Sequence, residues 1–414
     1  MEIFPKTVKN RDVRIPAKEG EAMKKIAFFV QQMLCGGVEN ALISLSGKLR
    51  DEGHQVTIYV IQKTGAFIDK VPDGVQLRQI PMDERLRRSI PVGGTRVSVR
   101  ACLARKQYAR AAFFLAKHLL RRTPYTELNA DIQRVPPLAE RYDIAVNYHI
   151  HSPFLVWYLS ERVDAGIKYT WIHNDFEASG YPIEGLRQYL ACVDHFFGVS
   201  QKVADEFTAR LGEFAGKTSV AMNGIPRQKI LEEGSCFVPA EYGSDRLSIL
   251  TVGRLEEQKG YDLAIDACKM LVDAGYGGRF RWFAVGEGTQ KDALTKKVKR
   301  CALEDHFRLL GMRENPYPYF RCCDLYVQPS RHEGWGLTVT EAKLFCRPII
   351  VTDFAGAREQ ITDGVTGRVV AVDAKEIFEA VRQMLDSQAL RAQCTENLSR
   401  EDIGLDDEYI RRYF

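Results

Sequence analysis

No run of apolar residues in this 414-residue chain approaches the length of a membrane span. The first 22 residues are polar and lack the apolar core of a signal peptide, so the chain is expected to stay in the cytoplasm. Those 22 residues themselves read as a loose tail or a mis-assigned start, because the first strand begins right after Met23. Ten cysteines form no Cys-x-x-Cys and no Cys/His ligand spacing, and Cys322 and Cys323 are merely adjacent. That pattern fits a reducing compartment and argues against a structural zinc. There is no short-period repeat and no low-complexity tract. The net charge of +4 is mild, but acidic residues are missing altogether from Arg85 to Arg122.

What is present is a series of short apolar strands alternating with helical patterns. The length exceeds what one core usually serves, so two domains of about 200 residues each are expected. Lys24–Val30, Gln55–Ile61, Val75–Ile80, Tyr142–Tyr148, Ile167–Ile172 and Asp194–Val199 read as strands of a first parallel sheet. Asn223-Gly224-Ile225-Pro226 is turn chemistry, and the charged stretch to about Arg246 reads as the interdomain connection. Ser248–Val252, Phe280–Val285, His306–Leu310, Asp324–Val327, Ile349–Thr352 and Arg368–Val370 form a second series. Helical patterns over Ala374–Leu385 and from Asp402 onward close the chain. The expected division is residues 23–225, joined by about 400–414, and residues 226–400.

The stretch around which the chain is organised is Arg331 to Phe345. Glu333 falls in a strand-to-helix turn after Gln328-Pro329-Ser330, and Glu341 falls early in the helix that starts near Leu337. Such turns lie at the carboxyl edge of a sheet, where open α/β folds bind ligands. Gly334 and Gly336 flank Trp335 and lack a Cβ, so a ligand can come close to their backbone, and the helix start favours anionic or hydroxyl-rich partners. A glutamate in this position also simply complements a helix dipole. Gly36 and Gly37 open a helix after the first strand, which suits either phosphate binding or a plain tight turn.

Gly253-Arg254 with Lys259-Gly260, Val285-Gly286-Glu287-Gly288, Leu310-Gly311, Gln328-Pro329-Ser330, the Glu333/Glu341 spacing and Asp363-Gly364-x-x-Gly367 resemble the retaining glycosyltransferases of family four. Gly36-Gly37-Val38-Glu39, Trp171-Ile172-His173-Asn174-Asp175 and Val199-Ser200 match in the first half. The resemblance implies the α/β fold called GT-B: two Rossmann-like domains facing across a cleft, with the C-terminal helix returning to the N-terminal domain. It implies transfer of a hexosyl unit, with UDP-hexose as the expected donor; the lipid-linked or glycan acceptor is an expectation drawn from the basic stretch 85–122. Glu333 would contact hydroxyls of the transferred sugar, Glu341 the ribose hydroxyls, and Gly311-Met312-Arg313 would border the base. His173 would project from the opposite domain with Asp175 orienting it; His149 and His151 are weaker acceptor-side candidates that would equally cap the next helix or pack. Gly253, Gly286, Trp335 and Leu337 complete the expected binding set.

The chemistry supports those roles. A departing diphosphate needs its charge neutralised, and Arg254 and Lys259 offer a fork-shaped and a point cation in one glycine-bounded loop. Both glutamate roles suit an ionised, acceptor-only carboxylate. The chain has no Asp-x-Asp to hold a divalent ion on the diphosphate, so activity without metal or other cofactor is expected. A carboxylate nucleophile at Glu333 stays open on chemical grounds.

Within 85–122, Lys106, Arg110, Lys117 and Arg121 share one helical stripe with Phe113 and Phe114 beside it. Ala101, Ala104, Tyr108, Ala112, Leu115 and Leu119 take the other face, expected to pack on the core. The basic face suits an anionic membrane surface, at the inner leaflet, or is simply solvated. A nucleic-acid partner is not expected, since it leaves the Arg254, Lys259, Glu333 and Glu341 set unexplained. A nicotinamide enzyme is disfavoured because Gly286-Glu287-Gly288 lacks the third glycine of the dinucleotide fingerprint. A non-catalytic nucleotide-sugar-binding partner subunit would show the same binding residues.

Overall fold

The computed structural model describes residues 22–34, 36–90, 132–176, 181–243, 245–401 and 412–414, with isolated residues between 99 and 115 and Ile403. Two sheets of parallel strands organise it. The first contains β1 (Lys25–Val30), β2 (Gln55–Val60), β3 (Gln76–Gln79), β4 (Tyr142–Asn147), β5 (Ala165–Ile172), β6 (His195–Gly198) and β7 (Thr218–Val220), in the order β3-β2-β1-β4-β5-β6-β7. The second contains β8 (Leu247–Val252), β9 (Phe280–Val285), β10 (Phe307–Gly311), β11 (Leu325–Gln328), β12 (Ile349–Thr352) and β13 (Gly367–Val370), in the order β10-β9-β8-β11-β12-β13. Strand order reverses between β1 and β4 in one sheet and between β8 and β11 in the other. Those reversals open a crevice at the strands' carboxyl ends.

The near-continuous apolar runs are explained by burial on both faces. In β1, Ile26 and Phe28 enter one cluster of buried side chains while Ala27 and Phe29 enter another. In the second lobe Ile249 and Val327 face one layer, and Leu250 and Tyr326 the other. Sheets covered by helices on both sides need this pattern. One buried cluster runs through both lobes, from Phe28 and Trp171 to Leu337 and Val339. The chain end returns to the first lobe: Phe414 stacks on Phe28, Tyr413 packs edge-on against Phe197, and Lys24 Nζ donates to the Phe414 backbone oxygen.

Three elements differ from the sequence reading. β7 is an unexpected edge strand of only three half-buried residues, too short to register as a pattern. The expected connection contains the helix Arg227–Gly234, which buries Ile230 and seats Gly234 against the Phe345 ring. The helix Gln388–Arg400 was also unexpected; it buries only Cys394 and Leu398, so its periodicity is faint, and Ser387 caps it through Leu390 N–H at 3.1 Å. Of the helix expected from Asp402, only Ile403 and residues 412–414 are described.

The basic stripe of Lys106, Arg110, Lys117 and Arg121, with Phe113 and Phe114, lies outside the described residues, as do residues 1–21. Its apolar partner face is corrected in part. Tyr108 is 65% and Leu115 49% exposed, so these side chains do not pack on the core. The residues that turn inward are Cys102 and Ala111, with Val99 against them. No helix among the described residues is long and apolar enough to cross a membrane.

Candidate active site between the lobes

The loop leaving β8 and the turn leaving β11 meet because of a glycine. Gly260 has φ +65°, and a Cβ there would sit 1.9 Å from the Pro329 carbonyl oxygen. Only glycine allows the loop to lie this close to the exit of β11. The contact brings Lys259 Nζ into an ion pair with Glu333 Oε1, with the two side chains 14% and 10% exposed. Ser330 Oγ donates to the same carboxylate oxygen at 2.8 Å, and Gln328 Nε2 donates to Ser330 Oγ at 2.6 Å. Gln328 is fixed in turn by the Tyr326 hydroxyl and by Thr338 Oγ1 at 3.0 Å. Arg254 is exposed in the same loop, and its neighbour Gly253 abuts the Lys259 stem. The two cations are therefore not equivalent: one is already paired, the other is open.

Glu341 departs from expectation. Burial pushes its carboxyl up to about 8, against the smaller opposing pull of the Lys259 charge and a hydrogen bond from Tyr317. Burial therefore favours the neutral acid over the ionised acceptor expected from the sequence. Tyr317 lies near both Glu341 and Asn40, so the start of the helix Gly37–Asp51 in one lobe approaches Glu341 in the other.

From the first lobe, His173 follows β5 and is buried. Burial, with His149 and His151 nearby, holds its imidazole well below the usual histidine range. Its Nδ1 meets Asn223 Nδ2 at 3.3 Å, and its Nε2 has no partner among the described residues. Burial and the Arg254 charge lower His149 to about 4, and burial with His149 and His332 lowers His151 to about 3. His151 packs between Phe176 and Tyr181, and neither of its ring nitrogens is hydrogen-bonded. Glu39, two residues after the Gly36-Gly37 pair, is pushed up to about 7 by burial, with its own backbone and Arg254 pulling the other way. Gly36 caps the helix Gly37–Asp51 without any side-chain bond.

The glycines of the Arg331–Phe345 stretch serve the protein before any ligand. A Cβ on Gly334 would lie 2.1 Å from the His173 carbonyl oxygen, so the two lobes touch backbone to backbone here. Gly336 has φ +84° and faces the Phe354 ring. Trp335 is buried, with its indole N–H on Thr340 Oγ1 at 3.0 Å and its carbonyl accepting from Gln360. These contacts pack it into the protein. Leu337 meets Gly37 across the junction. Gly286 allows its loop to approach Gly253, whose oxygen would lie 1.8 Å from an added Cβ. Met312 is 53% exposed beyond β10, while Arg313 is engaged with Glu241 and Tyr319. Among the described residues, no group of three or more His, Cys, Asp or Glu side chains is arranged to hold a metal ion.

Sequence reasoning missed Asn223, Tyr317 and Asn40 as site residues and left Glu39 without a role. Only their meeting in space reveals them.

Residues 35–229 match the family described as Glycosyltransferase Family 4, and residues 239–400 match Glycosyl transferases group 1. Only the two termini and a short connector lie outside these matches. The chain belongs to the group 1 glycosyltransferases. Its two facing parallel sheets are the GT-B architecture of that family. The structure of Anabaena HepE in complex with UDP and glucose superimposes with a TM-score of 0.68 at 18% identity, covering 94% of this chain and 98% of that one. At that identity the likeness is one of fold. Among curated relatives, this glycosyltransferase-family chain is 31% identical over 160 residues to an alpha-D-kanosaminyltransferase of Streptomyces kanamyceticus, 38% of this chain and 41% of that protein. It is 33% identical over 145 residues to a Campylobacter jejuni N-acetylgalactosaminyltransferase acting on a diphospho-undecaprenol-linked sugar, 34% of this chain and 38% of that protein. The matched segments thus span about two fifths of these relatives' length.

Proposed function

We propose that this chain is a retaining, metal-independent glycosyltransferase that moves a hexosyl unit from a UDP-hexose to a hydroxyl of a lipid-linked or glycan acceptor, in surface or capsular polysaccharide assembly. The observation that carries the reading is the Lys259–Glu333 pair at the switch point of the second sheet, with Arg254 open in the same loop and His173 in the facing lobe. Arg254 takes up the diphosphate first, since no internal ion pair has to break. Lys259 then stands between the phosphate and Glu333, whose remaining lone pairs accept from sugar hydroxyls. As the glycosidic bond breaks, these two cations stabilise the charge gathering on the leaving phosphate. They supply the positive charge that a divalent ion would otherwise bring. Glu341, as a neutral acid, both donates to and accepts from a ribose diol. The UDP-hexose donor is supported by the UDP and glucose of the HepE complex, and the lipid-linked acceptor by the Campylobacter relative.

The decisive experiment is a transfer and slow-hydrolysis assay on a panel of nucleotide sugars, in chelator, comparing wild type with Glu333→Ala. Turnover of one donor by wild type and its loss in the variant supports the reading. Binding without turnover by either protein leaves a non-catalytic partner subunit. Dependence on added manganese overturns metal independence, and a trapped glycosyl-enzyme at Glu333 overturns the role given to that carboxylate.

The same reading puts the enzyme at the inner face of the cell membrane, reached through 85–122. The exposed Leu103, Tyr108 and Leu115 add apolar surface to a segment without acidic residues, the combination an anionic bilayer attracts. Flotation with anionic liposomes should weaken when Arg110, Lys117 and Arg121 are reversed in charge; unchanged flotation removes the membrane assignment.

A further inference from the structure

Two buried side chains beside His173 have no part in the reading above. Asn223 follows β7 and is 6% exposed, and Tyr148 follows β4 and is 2% exposed. The Tyr148 ring lies 4.5 Å from the His173 ring, tilted at 54°. Its hydroxyl donates to Asn223 Oδ1 at 3.5 Å, which turns the amide so that Nδ2 faces His173 Nδ1 at 3.3 Å. An amide nitrogen only donates, so Nδ1 must be the accepting nitrogen of a neutral ring, and the ring proton must be on Nε2. Nε2 is also the nitrogen left without a partner among the described residues. A buried donor without an acceptor is costly, and such a group is kept where a ligand supplies the missing atom.

We infer that Asn223, oriented by Tyr148, is a positioning residue that fixes His173 as the Nε2–H tautomer, so that His173 meets the sugar as a hydrogen-bond donor and not as a base. This deepens the glycosyl-transfer reading and rests on it. The ring that faces the substrate then carries a proton to share and no lone pair with which to remove one. A hydroxyl oxygen of the transferred sugar or of the acceptor is the atom it grips. The acceptor's proton has to leave by another route, and the departing diphosphate is the base at hand. Histidine tautomers are set in this way wherever the second ring nitrogen has a fixed partner.

The test has a spectroscopic arm that needs no substrate. Long-range nitrogen–proton spectra of histidine-labelled protein, with the His173 signals assigned by loss in His173→Gln, should show the Nε2–H pattern in wild type at pH 7. Asn223→Asp puts an acceptor opposite Nδ1 and should move the proton there; Asn223→Ala should give a mixture. In the transfer assay, Asn223→Asp should lower kcat by about 10- to 100-fold, the effect of one buried hydrogen bond. The thermal shift produced by UDP should stay as in wild type for Asn223→Ala, which removes no group assigned to the diphosphate. A wild-type Nδ1–H signal, or an Nε2–H signal that persists in Asn223→Asp, overturns the assignment. Should the tautomer behave as stated while no nucleotide sugar turns over, the positioning role stands and the glycosyl-transfer reading falls.

Discussion

The Lys259 ammonium and the Glu333 carboxylate form a largely buried ion pair, and Ser330 donates to the same carboxylate oxygen at 2.8 Å. Removing either charge leaves the other without a partner in a poorly solvated place. Lys259→Met should therefore cost about 3 kcal/mol of stability, whereas the double variant Lys259→Met/Glu333→Gln should recover most of it. Turnover should fall on the order of 10² to 10³-fold in both proteins. Chemical denaturation alongside the transfer assay separates the two effects. Full activity in the double variant would contradict the site.

Glu341 gives a pH signature. Its carboxyl is raised to about 8 from the ordinary value of 4.5, so between these pH values the folded protein holds a proton that the unfolded chain has lost. Stability contributed by this group is thus full below pH 4.5 and declines as pH rises toward 8. Glu341→Gln abolishes the decline. Its advantage over wild type should grow across this window by at most about 1.4 kcal/mol per pH unit and level off above it. Glu39, raised in the same direction to about 7, remains in both proteins and cancels in the difference. Parallel stability curves for the two proteins would show that Glu341 is ionised throughout.

At Gly334 the lobes meet backbone to backbone. Gly334→Ala introduces a Cβ 2.1 Å from the His173 carbonyl oxygen, which no side-chain rearrangement can relieve. The expected outcome is a wider separation of the lobes, seen as an increased radius of gyration in small-angle scattering, with turnover reduced by at least about 10-fold. Gly278→Ala, which meets nothing within 4 Å, is the control and should change neither.

A second tie between the lobes is electrostatic. The Glu359 carboxylate accepts from the backbone N–H of Gln201 at 2.9 Å and of Lys202 at 3.2 Å, at the start of the helix Gln201–Arg210. Such a carboxylate satisfies helix-end donors that have no partner of their own. Glu359→Ala should cost about 1 kcal/mol. Amide hydrogen exchange at 201 and 202 should accelerate while the rest of that helix stays protected. Unaltered exchange would mean the tie is absent in solution.

Most of the architecture could be read from the chain because buried parallel strands are written as compact apolar runs with glycine or proline at their ends. Glu333, Arg254 and Lys259 were legible for the same reason: each lies in the loop that leaves such a run. Asn223, by contrast, lies 50 residues from His173 and 75 from Tyr148, and looked like turn chemistry. Tyr317 and Asn40 belong to different lobes and acquire meaning only when these close. The upward pull of burial on Glu341 was not legible, because burial is a tertiary quantity, while a carboxylate's letter in the sequence is the same in or out of water. Trp335 and Gly334 also make protein contacts of their own, which nothing in their order along the chain shows.

The row of side chains from Tyr326 through Gln328 and Ser330 to Glu333 has a practical bearing on engineering. Each one fixes the next, so the aim of the terminal carboxylate is set several residues away, under the sheet surface. A library aimed at a new sugar preference that varies only cleft-facing positions would hold that aim constant. Positions 326, 328 and 338 offer a way to retune it from behind.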